Sequence, residues 1–133
     1  MELTGGCHCG AVRYAAEAEP FDATFCHCAD CRRIAGAPLV AWFSVPRETF
    51  RFIKGKPRRY ASSARVERGF CADCGTPLTY RHLDHSRGLD ITTASLDDPS
   101  LVPPRDHVFF ASHLPWMVPG DTLRRYATTR KAG

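Results

Sequence analysis

Short stretches of alternating apolar and polar residues recur along the chain, separated by turns that contain glycine or proline. This alternation is typical of β-strands, whose successive side chains point to opposite faces of a sheet. It predicts strands at residues 11–15, 39–45, 49–53, 58–61, 66–70, 78–82, 89–93 and 107–112. Residues 29–35 instead contain helix formers and are followed by Gly36 and Pro38, which indicates a helix of about two turns. Many short strands and one short helix predict a mostly β fold.

The length of 133 residues is that of one ordinary domain, so residues 1–133 are predicted to form a single domain. Hydrophobic residues make up 44% of the chain and charged residues 24%, a balance that excludes disordered and collagen-like proteins. The longest apolar stretch, residues 37–45, is far shorter than the roughly 20 residues of a membrane span. Because no signal-like segment opens the sequence, we expect a cytoplasmic protein without a membrane partner.

Seven cysteines occur in three tight clusters: Cys-His-Cys at 7–9, Cys-His-Cys-Ala-Asp-Cys at 26–31 and Cys-Ala-Asp-Cys-Gly at 71–75. An odd number of cysteines cannot be paired by disulfides alone. In a reducing cytosol such clusters more often bind metal or take part in catalysis. Each cysteine taken singly also has an ordinary interpretation as a small buried hydrophobic residue. Three clusters together favour metal binding.

The first and last clusters fit one closed zinc site. Structural zinc takes four ligands in a tetrahedron, and a pair of cysteines on a turn supplies two of them. Cys71 and Cys74 form such a pair, and Gly75 permits the positive φ that turns backbone amides toward the sulfurs. We predict Cys7 and Cys9 as the other two ligands of this structural zinc. The spacing also allows Cys7 and Cys9 to share a metal with part of the central cluster.

The central cluster offers three thiols, Cys26, Cys28 and Cys31, and no fourth cysteine. Three protein ligands with one open position are the pattern of a catalytic zinc, so we predict that these residues hold a second zinc at the catalytic centre. An iron–sulfur cluster and a thioredoxin-like redox pair are the alternatives. His8 and His27 are interpreted as outward-facing spacers. Candidates for a fourth ligand, besides water or a substrate thiolate, are His82, His85, His107 and His113.

Five segments of the chain carry a resemblance to a known family. They are Gly-Cys-His-Cys-Gly-Ala-Val-Arg-Tyr at 6–14, Cys-His-Cys-Ala-Asp-Cys-Arg-Arg at 26–33 with Gly-Ala-Pro at 36–38, Tyr-Ala-Ser-Ser at 60–63, Gly-Phe-Cys-Ala-Asp-Cys-Gly-Thr-Pro-Leu at 69–78, and residues 107–116. In order and spacing they resemble the glutathione-dependent formaldehyde-activating enzymes, whose relatives include centromere protein V. The resemblance covers most of the chain.

This resemblance implies a β-tent fold of antiparallel sheets with zinc sites at the hairpin tips, and the same division of the cysteines into two zinc sites. It implies a zinc-dependent carbon–sulfur lyase, similar to S-hydroxymethylglutathione synthase, that adds a small thiol such as glutathione reversibly to formaldehyde or a related aldehyde. The expected cofactor is Zn²⁺, two per chain. Arg32 and Arg33, directly after Cys31, are predicted to bind the carboxylates of the thiol substrate. Further candidates are Arg13, Arg65 and Arg68.

A formal net charge of +4 and a basic run at Lys54, Lys56, Arg58 and Arg59 support a different class, a non-catalytic module with two structural zincs that binds nucleic acid or protein. A zinc-stapled scaffold whose open position is filled by a side chain is a third interpretation. If all seven cysteines bind two Zn²⁺ as thiolates, seven negative and four positive charges lower the net charge by three, to +1. The lower net charge argues against nucleic acid as the partner. The sequence does not indicate the oligomeric state.

Overall fold

Two β-sheets and one short helix make up the fold over residues 1–84 and 88–130, the part of the chain that the computed structural model describes. The helix α1 is Ala29–Ala35. The strands are β1 (Glu2–Gly6), β2 (Arg13–Glu17), β3 (Phe21–Cys26), β4 (Val40–Pro46), β5 (Phe50–Lys54), β6 (Arg58–Ser63), β7 (Val66–Phe70), β8 (Pro77–His82), β9 (Gly88–Thr92), β10 (Asp106–Val108) and β11 (Arg124–Arg125). The prediction of a mostly β fold with one short helix is confirmed.

The larger sheet has eight strands in the order β11-β10-β3-β4-β9-β8-β7-β6, and the smaller has the order β1-β2-β5. Most neighbours are antiparallel, as predicted, but β10 runs parallel to both β3 and β11. A parallel neighbour needs a long connection rather than a hairpin. Residues 93–105 provide it, because they carry the chain from β9 across to the far side of β3.

The large sheet presents two different faces. Along β4, Phe43 and Val45 are fully buried in the main core, whereas Trp42 and Ser44 point to the opposite face, as the two-residue repeat of a strand requires. Ile91 on β9 joins the main core in the same way. The main core therefore covers one face of the sheet, and the cavity described below lies on the other.

The strands differ from the predicted ones in several places: most bounds are shifted by one or two residues, and β1, β3 and β11 were not predicted. The strand expected at residues 107–112 ends at Val108, because Phe109 adopts a left-handed backbone with φ of 53° and a 3₁₀ turn, Phe110–Ser112, follows. Strand β1 carries the weakest alternation, since two of its five residues are glycine, and the sequence pattern missed it. At Gly5 an added Cβ would lie 2.4 Å from the Ser95 carbonyl oxygen. The close approach of this strand to the backbone at Ser95 therefore requires glycine.

Within residues 1–84 and 88–130, no helix has the length and apolar character needed to cross a bilayer.

Candidate metal centres and the adjoining cavity

The seven cysteines are free thiols that gather into the two groups predicted from their spacing. In the first group, Cys7, Cys9, Cys71 and Cys74, the sulfur atoms all lie within 4.8 Å of one another. In the second group, Cys26, Cys28 and Cys31, the sulfurs lie within the same distance. The alternative in which Cys7 and Cys9 join the central cluster is not the arrangement found.

The four-cysteine group is built from the tips of two hairpins, β1–β2 and β7–β8. In each tip the first cysteine is buried and its backbone N–H donates to the carbonyl five residues later, Cys7 to Val12 and Cys71 to Thr76, both at 3.0 Å. Gly75 has φ of +82°, as predicted for a turn that folds back on its cysteines. The two hairpin tips therefore have the same backbone hydrogen bond, and together they bring the four sulfurs close to one another.

This group fits a zinc ion. Zinc–sulfur bonds of about 2.3 Å in a tetrahedron place the sulfurs about 3.8 Å apart. The measured separations are 3.6 Å between Cys7 Sγ and Cys9 Sγ and 3.7 Å between Cys9 Sγ and Cys71 Sγ. Backbone amides also donate to the sulfurs, from Val12 to Cys7 at 3.2 Å and from Cys74 to Cys71 at 3.5 Å. Such donors stabilise thiolates, the form in which cysteine binds metal.

The three-cysteine group lies where β3 passes into α1. Cys26 is the last residue of β3, Cys28 is the N-cap of α1, and Cys31 lies in the first turn of the helix. The sulfur of Cys28 accepts the backbone N–H of Cys31 at 3.3 Å, so the thiol itself performs the capping role usually taken by serine or aspartate. Gly36 closes the helix in the left-handed conformation, as predicted. One strand end and one helical turn therefore hold all three sulfurs.

A buried cation accompanies this second group. Arg68, only 6% exposed, places a guanidinium N–H 3.8 Å from the sulfur of Cys31 and lies over the ring of Tyr80, 4.9 Å from its centroid. Hydrogen bonds from the thiols of Cys26 and Cys31, with the backbone N–H of Cys31 and the charge of Arg68, lower the pKa of Cys28. Cys28 is therefore prepared to carry thiolate charge, which fits a metal ligand.

A cavity of about 400 Å³ opens beside the three-cysteine group. All three cysteines line it, together with Trp42 and Arg68. Pockets of this size accommodate small organic ligands. A second cavity of about 450 Å³ shares Trp42 and Arg68 with the first and extends past Arg58, Arg59 and Tyr60. The thiol group thus faces a cavity that shares two wall residues with a groove lined by arginine.

A row of polar side chains crosses the sheet on the floor of the first cavity. Cross-strand register places Arg68 opposite Tyr80, Tyr80 opposite Asp90, and Asp90 opposite Ser44, on strands β7, β8, β9 and β4. All four residues line the cavity. Directly opposed residues have Cβ atoms about 5 Å apart, so the row is continuous. We call it the polar row.

Residues 2–112 match the model of a family described as glutathione-dependent formaldehyde-activating enzyme. The chain belongs to this family. The match covers both cysteine groups, and it confirms the resemblance drawn from the motifs.

One curated protein and one solved structure are similar to this family member. An uncharacterized lyase of Schizosaccharomyces pombe is 35% identical over 81 residues, which make up 61% of this chain and 58% of the yeast protein. The chain thus aligns with less than two thirds of that relative. A crystal structure of a Rhodobacter sphaeroides protein has a TM-score of 0.59 at 22% identity and covers 92% of this chain and 98% of its own. That likeness shows a shared fold.

The predicted arginines lie apart from the cavity of this family member. Arg33 is exposed on α1, and Arg32 donates through Nε to the carbonyl of His27 at 3.3 Å. Neither belongs to the residues that line the cavity or the groove, and their substrate role stays a prediction. Among the further candidates, Arg13 is paired with Asp97 and Arg65 with Asp84. Of these candidate arginines, Arg68 is the one that lines the cavity.

The interpretation of His27 as an outward-facing spacer is wrong, because this side chain is fully buried. Its Nε2 lies 2.8 Å from Nδ1 of His107, whose Nε2 lies 3.0 Å from a carboxylate oxygen of Asp121. Burial, with the nearby His107 and His113, lowers the pKa of His27 to about 4. A neutral His27 donating to His107 therefore anchors the loop between Cys26 and Cys28. His8 is exposed, in agreement with a spacer.

None of the candidate histidines within residues 1–84 and 88–130 joins a cysteine group. His107 is engaged by His27 and Asp121, and His113 lies 2.6 Å from the carbonyl oxygen of Phe110. His82 accepts the backbone N–H of Asp84. His85 lies outside the described residues.

Sequence reasoning missed Ser44, Tyr80 and Asp90. A signal was present, because Asp90 is a carboxylate between two apolar residues in the predicted strand 89–93, and Ser44 interrupts the apolar run of β4. A polar residue inside a buried strand needs a reason. The fold gives that reason, since these positions face the cavity rather than the core.

Proposed function

We propose that the protein is a carbon–sulfur lyase that adds a small thiol reversibly to formaldehyde or a related aldehyde. The observation that carries the proposal is the three-cysteine group, which lies open to a cavity of about 400 Å³ and has no fourth ligand among residues 1–84 and 88–130. Membership of the formaldehyde-activating family and the lyase name of the yeast relative support the same reaction class. A reducing, cytoplasmic setting suits seven free thiols in a single domain.

The cysteines are proposed to hold two zinc ions per chain. Cys7, Cys9, Cys71 and Cys74 would hold a structural ion with a complete ligand set, and Cys26, Cys28 and Cys31 would hold the second. When bound at the second group, zinc supplies a Lewis acid that lowers the pKa of a thiol and polarises a carbonyl oxygen. The charge of Arg68 offsets the negative charge of three thiolates.

The protein's own residues provide the binding site for the organic substrates. Trp42 is 7% exposed and lines both cavities. Its indole N–H is buried without a hydrogen-bond partner in the described chain. A buried donor of this kind costs about 1–3 kcal/mol unless an acceptor is supplied. A bound substrate or an ordered water would supply it.

The arginine-lined groove favours a thiol that carries carboxylates. Arg58 is exposed at the start of β6, and Arg68 is shared between groove and cavity. A thiol held in the first cavity would extend its carboxylates toward these guanidinium groups, which bind carboxylates through paired hydrogen bonds. Glutathione has this chemistry. The sequence predicts that Arg32 and Arg33 also bind carboxylates of the thiol substrate.

The test uses zinc-loaded protein with glutathione and formaldehyde, and follows exchange between formaldehyde and the hydroxymethyl adduct by NMR. We expect acceleration over the protein-free reaction, and we expect glutathione to exceed cysteamine, which lacks carboxylates, by about tenfold or more in kcat/KM. No acceleration with any of several thiols and aldehydes would overturn the proposal. Elemental analysis should find two zinc ions per chain.

The alternative of a non-catalytic binding module rests on Lys54, Lys56, Arg58 and Arg59, which are all exposed at the β5–β6 turn and the start of β6. Arg59 is already paired with Glu67 across β6 and β7, at 2.5 Å. Nucleic-acid binding that persists at physiological salt and weakens steeply as salt is raised would favour this alternative.

A further inference from the structure

We propose that Asp90 is the acid–base residue of the thiol–aldehyde reaction, giving a proton to the aldehyde oxygen during addition and taking it back during adduct breakdown. This inference rests on the function proposed above and names a residue on which neither the cysteine motifs nor the family match bears. It is carried by the position of Asp90 in the polar row, on the floor of the cavity whose wall contains Cys26, Cys28 and Cys31.

The fold holds the Asp90 carboxyl at a fixed place. Asp90 lies in the middle of β9, between Ser44 on β4 and Tyr80 on β8. The hydroxyl of Ser44 donates to Oδ1 of Asp90 at 2.6 Å. Its chain neighbours Leu89 and Ile91 are buried in the opposite face of the sheet. The carboxyl is thus supported by a rigid element, as precise catalytic geometry requires.

Asp90 has no structural ion pair within residues 1–84 and 88–130. The buried Asp106 offers the contrast, because it receives two hydrogen bonds from Arg130 at 2.6 and 3.0 Å. A buried carboxylate without a paired cation lowers stability. Asp106 therefore has an evident structural role, whereas the Asp90 carboxyl, among the described residues, receives one side-chain hydrogen bond, from Ser44, and lines the cavity.

The surroundings of Asp90 suit proton transfer near neutral pH. Burial raises the pKa of Asp90 to about 6, and the negative charge of Asp22 adds to the effect. The hydrogen bond from Ser44 and the positive charge of Arg130 act in the opposite direction. Tyr80, the other neighbour in the row, has its own pKa raised by burial and stays neutral. A group with such a pKa exists in both forms at physiological pH, which general acid–base catalysis requires.

The proton and electron balance of the step is complete. In addition, the thiolate sulfur forms a bond to the carbonyl carbon, the carbon–oxygen π bond breaks, and its electron pair takes the proton of the Asp90 carboxyl. The proton lost by the thiol restores the carboxyl. In breakdown, the Asp90 carboxylate removes the hydroxyl proton of the adduct, the carbon–oxygen double bond re-forms and the carbon–sulfur bond breaks, releasing the thiolate. The net reaction joins or separates one thiol and one aldehyde.

The experiment measures kcat/KM for adduct breakdown by exchange NMR from pH 5 to pH 8, with zinc-loaded wild-type protein and two variants of the row. Because breakdown needs the carboxylate, the wild-type value should rise with pH through about 6 and then level off. Asp90→Asn should lower the plateau by about 100-fold or more and abolish the rise. Ser44→Ala removes a hydrogen bond that lowers the pKa of Asp90, so it should move the rise to higher pH. Glu48→Gln, an exposed carboxyl outside the cavity, is the matched control and should match wild type.

A readout independent of activity is the ¹³C NMR titration of the aspartate carboxyls in the zinc-loaded protein. One carboxyl should titrate near pH 6 and should be missing in Asp90→Asn. If wild type accelerates the reaction and Asp90→Asn keeps its rate and pH profile, the role of Asp90 is refuted while the proposed function stands. If wild type itself gives no acceleration, both fail together. Should Asp90→Asn not fold, an unmoved pH profile in Ser44→Ala overturns the inference.

Discussion

The two cysteine groups differ in what surrounds their sulfur atoms. The four-cysteine group lies at two hairpin tips, with Cys7 and Cys71 buried and Cys9 and Cys74 exposed, and it joins Cys9 to Cys71, which are 62 positions apart in the chain. The three-cysteine group comes from one strand end and one helical turn, with Cys28 and Cys31 three positions apart. Arg68 and the polar row lie beside it, on a cavity.

This difference suits the four-cysteine group to stabilising the fold and the three-cysteine group to chemistry. A complete ligand set that closes a long stretch of chain constrains the fold, because it removes much of the freedom of the unfolded chain. A three-thiol set formed by neighbouring residues constrains little beyond its own turn. In the function proposed above it would leave one ligand position for another molecule, and charged and aromatic side chains line the adjoining cavity.

The largest effect is expected for Cys71→Ser, which removes a proposed ligand from the four-cysteine group. Zinc binding in small structural sites contributes on the order of 10 kcal/mol to folding, so the variant should lose cooperative thermal unfolding and half of its zinc or more. Circular dichroism and elemental analysis measure both. Asp73→Ser, an exposed change in the same turn, is the control and should fold normally. A stable Cys71→Ser protein would remove the distinction between the two groups.

Cys28→Ser should instead keep the fold while losing one zinc per chain and at least about 100-fold in activity. Serine is a favoured N-cap, so its hydroxyl can take over the hydrogen bond from the Cys31 N–H and preserve α1. Thermal unfolding should shift by a few degrees at most, equivalent to about 1 kcal/mol. Unfolding of this variant would mean that the second group is as structural as the first.

The last prediction concerns stability alone, and it is a gain, expected for zinc-loaded Asp90→Asn. The pKa of Asp90 is about 6 in the folded protein and 3.8 in its ordinary state, so the native state favours the protonated form. Its contribution is fully present below about pH 4 and is lost as the pH rises through 6. At pH 7 the asparagine variant should exceed wild type by about 3 kcal/mol in the free energy of unfolding, since one pKa unit corresponds to about 1.4 kcal/mol and the two pKa values differ by about two units.

Urea unfolding at pH 4 and pH 7 measures this difference, which should be close to zero at the lower pH. Ser44→Ala, which leaves the carboxyl in place, should be less stable than wild type at pH 7. A loss of stability in Asp90→Asn would show that Asp90 has a structural role. The polar row would then no longer count as part of the reactive region.

Features set by neighbouring residues could be predicted from the sequence. The helix has the predicted bounds because its N-cap, its helix formers and Gly36 are consecutive, and the positive φ of Gly75 follows from a short turn between paired cysteines. The spacing of the cysteines favoured the observed grouping, since one pair of clusters completes a tetrahedral set, but it also allowed Cys7 and Cys9 to join the central cluster.

The cavity could not be predicted in the same way, because its residues meet through strand register. Asp90 contacts Ser44, 46 positions away, and His27 is buried by His107, 80 positions away. A one-residue change of register would place Asp90 in the apolar core, and alternation along a single strand does not reveal which face will be the core. The parallel return of β10 beside β3 likewise depends on a connection without a local signal.

The differing spans of the two groups also set the order in which they can form as the chain leaves the ribosome. Cys26, Cys28 and Cys31 emerge together and can capture an ion before any sheet exists, whereas Cys9 must wait for Cys71. The cavity wall is completed later still, when Arg130 reaches Asp106 and Asp22. A nascent chain would thus carry its reactive ion first, its stabilising ion second and its protective wall last.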